Sequence, residues 1–162
     1  MPSVLVPELF QEVADRALQD VMPQVAGITL LRGGSPPSGE IYTLHTVFEG
    51  GTQAALSMCA DAAVFTRLTR HITGQEQVTP EDLADAAKEL FNVLCGHIAV
   101  ELFRTANLTF RFQIPQFKKG RQIPEGDMHL FTLNYRGDRN ERIQVIHHAQ
   151  TVPKSADPTG PN

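Results

Sequence analysis

Four residues near the middle of the chain have the types and spacing to do chemistry: Asp85, Glu89, Asn92 and Gly96. The steps between them are four, three and four, so on a helix they share one face. Carboxylates, a carboxamide and a residue without a side chain make a polar row of low relief. A carboxamide presents a donor and an acceptor together, and it orients a polar group without having to ionise. Taken alone, Asp85, Glu89 and Asn92 also fit an ordinary solvated helix face. Asn92 argues for more, because asparagine competes for backbone hydrogen bonds and is a poor residue inside a helix.

The element that must carry this row is a long helix from Pro80 to Asn107. Leu83, Ala87, Leu90, Leu94, Ile98 and Leu102 recur at steps of three and four and predict one buried stripe beside the polar one. Thr79 supplies a capping hydroxyl and Pro80 suits the first helical position. Glu81 and Asp82 then face the positive end of the helix dipole.

Beyond Asn92, 22 residues intervene before Pro115. The pattern Asp85-x3-Glu89-x2-Asn92-x22-Pro115 resembles the active-site signature of the CheC/CheX/FliY family of chemotaxis phosphatases. In that signature an acidic or hydroxyl residue, a glutamate, an asparagine and a downstream proline stand in this register. A long helix followed by a β-run, Leu108 to Ile114, is similar to the family's setting. With one complete motif, the chain resembles the CheX-type members most closely. The resemblance implies a protein phosphatase that accelerates hydrolysis of the aspartyl phosphate on a CheY-type response regulator. It implies that Asn92 orients the attacking water and that Glu89 pairs with the receiver's active-site lysine. Asp85 would sit at the edge of the contact, and Pro115 would shape the strand behind the helix. Gly96, from its place on the row, would let the partner approach. No intrinsic cofactor is implied; Mg2+ is expected in the acidic cluster of the phosphorylated receiver, and CheX-type members imply a homodimer. The same row would equally serve a non-catalytic dimeric docking module for a receiver in two-component or flagellar-switch signalling.

The rest of the chain narrows the field. At 162 residues it is long enough to bury roughly 70% of its unfolded surface as a single domain, here residues 1–150. A net charge of −4 provides no basic field for nucleic acid. Cys59 and Cys95 lie in apolar settings without zinc spacing and read as reduced, buried thiols. The first ten residues lack the basic region and apolar core of a signal peptide, and no apolar run approaches the ~20 residues of a membrane helix. A cytoplasmic protein that contacts no membrane is the expectation. No Gly-rich phosphate loop, zinc-type Cys/His spacing or serine nucleophile elbow occurs.

Along the chain, a first helix is predicted from Val6 to Met22, stopped by Pro23, then strands at Gly27–Leu31, Glu40–Glu49 and Thr52–Met58. A helix capped by Asp61 should run to Ile72, stopped by Gly74. Strands at Leu108–Ile114, Met128–Tyr135 and Arg142–His148 should follow the long helix, and residues 151–162 should form a disordered tail. This order predicts an α+β fold: a six-stranded, mostly antiparallel sheet with two long helices packed on it. The fold would be built from two α-β-β-β halves, each a three-strand meander. Glu8-Leu-Phe-Gln11 echoes Glu89-Leu-Phe-Asn92, as a duplication would require. Gln11 replaces the asparagine and Gly34 stands where a proline would, so Glu8 and Gln11 mark a candidate vestigial second site.

Four other groupings have simpler readings. His147 and His148 are adjacent on a strand, point to opposite faces and cannot easily share a metal ion. His97 is placed for a local pair with Glu101. Lys118, Lys119 and Arg121 form a basic spot that is either solvated or in contact with an acidic partner. Phe110 and Phe112 read as strand core.

Overall fold

Local signals set the ends of most elements in the structure, a computed structural model that describes residues 6–50, 52–122 and 130–151. In chain order these elements are α1 (Pro7–Val21), β1 (Leu30–Arg32), β2 (Ile41–Glu49), β3 (Thr52–Asp61), α2 (Ala62–Thr73), α3 (Pro80–Ala106), β4 (Arg111–Phe112), β5 (Gln116–Lys119), β6 (Phe131–Gly137) and β7 (Arg142–Thr151). The start of α3 is a full capping box. Thr79 Oγ1 accepts from the Asp82 N–H at 3.0 Å, and Asp82 Oδ2 accepts from the Thr79 N–H at 3.4 Å. Asn107, in the left-handed region at φ 56°, closes the other end.

Both α1 and α2 pack against α3, so its buried arc is wider than a single stripe. Phe91 and Cys95 are fully buried alongside Leu90, Leu94, Ile98 and Leu102, and burial pushes the Cys95 thiol pKa well up. Among the described residues no helix is long and apolar enough to cross a membrane.

The strands form one antiparallel sheet in the order β1-β6-β7-β3-β2, with β4 and β5 both paired to β2 as two pieces of one edge strand. The sheet is thus six strand positions wide, as expected. Its order is palindromic about the β3–β7 pair, where Leu56 faces His147. The halves are not simple meanders, however. β1 pairs with β6, and β4 with β5 pairs with β2, so each half gives its first strand to the other half's edge.

The expected strand Leu108–Ile114 is broken. Phe48 pairs with Phe112 and His45 with Gln116, leaving two residues of β2 opposite Gln113, Ile114 and Pro115. This is a one-residue bulge, anchored by Gln113 N–H to Val47 O at 3.0 Å and Thr46 Oγ1 to Gln113 O at 2.6 Å. Pro115 has no N–H to offer the ladder, which is why the pairing is interrupted there.

Other boundaries and caps differ from the expectation. Pro23 does not stop the first helix: a π-turn from Met22 to Ala26 follows α1, and Gly27 ends it at φ 69° with the His71 ring against its α-carbon. Asp61 precedes α2 but makes no capping bond; its Oδ2 accepts from the Arg142 N–H at 2.9 Å instead. β1 starts three residues later than predicted and ends one residue later, and β3 runs three residues further, to Asp61. β7 runs to Thr151, while the expected start of β6 at Met128 and residues 152–162 of the expected tail lie outside the described residues.

Two polar ties hold the helical layer to the sheet end. Arg67 on α2 donates to Asp138 and Glu141 at 2.8 Å each and to the Gly27 carbonyl at 2.7 Å. Tyr135 Oη donates to Asp15 Oδ1 on α1 at 2.6 Å. Between the layers His147 is fully buried, stacked on Phe131 and tilted against Phe10. Its Nε2 lies 3.3 Å from Gln11 Oε1, and its Nδ1 has no partner. His148 sits on the opposite face near His45, so the two adjacent histidines are indeed separated by the sheet.

Burial lowers the His147 pKa from 6.5 to about 4, and His45 and His148 are shifted down as well. The unfolded chain therefore binds more protons than the folded one as pH falls below 6.5, and stability present above that value is lost on the way down to about 4. The melting temperature should fall across this window, and His147→Phe should flatten the slope. A wild-type melting temperature that is constant between pH 7 and pH 4.5 would contradict the buried neutral imidazole.

Candidate functional site

The width of the buried arc on α3 fixes what its remaining face shows. Asp85, Glu89 and Asn92 are exposed in a row, with Gly96 half-buried behind them. None of the three side chains makes a hydrogen bond or ion pair with another described residue, so all remain available to a partner. A mid-helix asparagine left unpaired by its own chain is unexplained by packing. A β-carbon added at Gly96 would meet nothing within 4 Å, so the chain's packing does not require a glycine there either.

Downhill from Asn92 the row continues. Val100 and Phe103 follow Gly96 at steps of four and three, and each is 56% exposed. Asn92, Gly96 and Val100 share the wall of a shallow depression of about 390 Å³. Val100 and Phe103 have the type of core residues, and their spacing from Gly96 along the polar row is the sequence signal that sets them apart. The expected pair between His97 and Glu101 is not formed. Glu101 bonds Arg104 at 3.1 Å instead, since Arg104 lies one turn further on with the stronger donor, and His97 lines the depression.

Pro115 is not on the exposed row. It is buried in the bulge before β5, a strand that packs against α3. On α1, Glu8 is exposed but Gln11 is half-buried and faces His147, so the first-helix pair does not present two free groups as Glu89 and Asn92 do. Lys118 and Lys119 are exposed on β5, whereas Arg121 donates to Gln144 Oε1. Phe110 is buried and Phe112 packs on the same core through Phe48. On the far sheet face His45 Nδ1 is 2.7 Å from Ser57 Oγ, but Ser57 is 1% exposed and beyond the reach of a substrate. Among the described residues no group of three or more His, Cys, Asp or Glu is placed to hold a metal ion.

A palindromic antiparallel sheet under three helices, with an exposed Glu-x-x-Asn row on the longest, defines the class. The family model for the chemotaxis phosphatase CheX matches residues 42–133, more than half of the 162-residue chain. The chain belongs to the CheX family. Its fold is similar to that of the chemotaxis protein CheX from Desulfovibrio desulfuricans, with a TM-score of 0.75 at 13% identity over 88% of this chain and 99% of that one. It is also similar to CheX from Vibrio vulnificus, with a TM-score of 0.74 at 15% identity over 87% and 96% of the two chains. A third similar structure is the CheX-CheY-BeF3-Mg2+ complex from Borrelia burgdorferi, with a TM-score of 0.68 at 18% identity over 88% and 96%. No curated protein matches the chain.

Proposed function

We propose that this chain is a phosphatase for the aspartyl phosphate of a CheY-type response regulator, with Asn92 and Glu89 as the groups that enter the receiver's site. The observation that carries the reading is that Glu89 and Asn92 lie one turn apart, exposed and unpaired, on the central helix of a CheX-family chain. A similar structure holds CheX together with CheY and beryllofluoride, which supports a receiver as the partner.

An aspartyl phosphate is already activated, and what its hydrolysis lacks is a water held in line with phosphorus. As the water oxygen bonds to phosphorus, the bond to the aspartyl oxygen breaks, and a carboxylate and inorganic phosphate result. Positioning and charge neutralisation supply most of the acceleration in such a transfer. The Asn92 carboxamide would accept from the water and keep it aligned. Glu89 would pair with the receiver's active-site lysine and fix the register in which Asn92 arrives. The receiver's own acidic cluster would hold the Mg2+ that neutralises its phosphoryl oxygens. Asp85 extends the contact by one turn, Pro115 shapes the edge that supports α3, and Glu8 with Gln11 forms no working second site. Residues 1–150 act as one domain in this reading.

Phosphate release from a phosphorylated receiver of the same genome should rise on adding the protein. Asn92→Ala should lower that acceleration by roughly 10²-fold, because a lost positioning group costs several kcal/mol in the transition state. Its melting temperature should hold or rise, since alanine is the better helix residue. Glu89→Ala should weaken association as well as turnover. Equal release with and without wild-type protein, across the genome's receivers, would sink the proposal.

A homodimer belongs to the same proposal. The outer strand β1 is three residues long and carries Leu31, 57% exposed, on an edge that a second copy would cover. Light scattering at micromolar concentration should give the mass of two chains; a monomer alone would contradict it.

A further inference from the structure

Three observations about the C-terminal half of the row have no account within the chain. Gly96 sits in the interior of a 27-residue helix, where glycine is disfavoured, although a β-carbon there would meet nothing within 4 Å. Val100 and Phe103 leave more than half of their surface in water on the same face. Asn92, Gly96 and Val100 line one depression, with the polar side chains of His97, Glu101 and Arg104 along its other side. An apolar floor with a polar rim is the arrangement of a protein–protein contact.

We infer that Gly96, Val100 and Phe103 form the docking half of the face: a notch and apolar seat that receive the receiver domain's surface beside its phosphorylation site. This rests on the phosphatase reading above, and it assigns affinity to residues that do no chemistry. The occupant follows from continuity. The seat shares Asn92 with the proposed catalytic pair, so any molecule that brings a phosphoryl group to Asn92 must also lie over Gly96. From Glu89 to Phe103 the face extends about 21 Å at 1.5 Å per residue, a length suited to a folded domain. The missing side chain at Gly96 lets the partner's backbone come close to the helix. Val100 and Phe103 lie one and two turns further on, and their apolar surface would leave water on contact.

The test uses the full chain and, as probe, a CheY-type receiver from the same genome activated with beryllofluoride and Mg2+. Gly96→Leu, Val100→Asp and Phe103→Asp should each weaken binding at least tenfold, while Ile72→Asp, on an exposed α2 position away from the row, should leave it unchanged. Gly96→Ala separates docking from folding: its melting temperature should rise by about 2–4 °C, while its affinity for the receiver falls. Wild-type affinity in all the row variants would overturn the inference and leave the phosphatase reading standing. If the wild-type protein neither binds the activated receiver nor speeds phosphate release, the functional reading falls and takes the inference with it. A change in self-association without a change in receiver binding would assign the seat to a second copy of the chain and also overturn it.

Discussion

The burial of α3 is the constraint from which the rest follows. Held by α1 and α2 on its flanks and by the sheet beneath, the helix has only one rotational setting that keeps its apolar arc dry. Leu90, Phe91, Leu94, Ile98 and Leu102 are each at most 2% exposed, and burying each such side chain is worth about 1.5–3 kcal/mol. Against that sum, Asn92 and Gly96 cost the helix only about 0.7 and 1 kcal/mol relative to alanine. The packing therefore carries two unfavourable residues without strain, and it presents them outward at a fixed angle. A site on such a helix is positioned by the core rather than by a loop.

The sheet supplies the second level of rigidity. Each half surrenders its first strand to the other's edge, so neither half can move without breaking ladder bonds in its neighbour. The bulge at Gln113–Pro115 occurs on the edge strand that packs against α3. Pro115 acts there through the backbone: it ends one ladder segment and lets the next begin in a shifted register. The two outer helices are tied down separately, α2 by Arg67 and α1 by Asp15 and by Gln11 next to His147. Gln11, in the position that echoes Asn92, is thus turned toward a buried imidazole rather than left free.

Much of this was legible because it is local. Thr79, Pro80 and Asp82 declare the start of α3, and the period of its apolar residues separates the buried arc from the polar row. The six-position antiparallel sheet was likewise readable from the count and alternation of strands. Nonlocal choices were not. Nothing in β1 says that it will pair with β6 rather than with β2, since both partners accept a short apolar strand. Asp61 has the type and place of a cap, yet the Arg142 backbone competes for it from 81 residues away. Pro23 looked like a stop because a continuing α-helix would need its missing N–H and would bring its ring against the carbonyl four residues back; it stands instead at the start of the π-turn, where that N–H is not called on. Val100 and Phe103 were hidden by their own chemistry: an apolar residue in a long helix reads as core until the structure shows it in water.

The claim that Asn92 works by geometry is tested most directly with Asn92→Gln. The substitution keeps the carboxamide and moves it by one methylene, which turns the echo at Gln11 into an experiment. Single-turnover dephosphorylation of a phosphorylated receiver, at saturating phosphatase, isolates the chemical step from docking. The account predicts a rate close to that of Asn92→Ala, because a misplacement of about 1 Å costs on the order of 10²-fold. A rate equal to the wild type would contradict it, showing that the amide's chemistry suffices and its position on α3 does not matter.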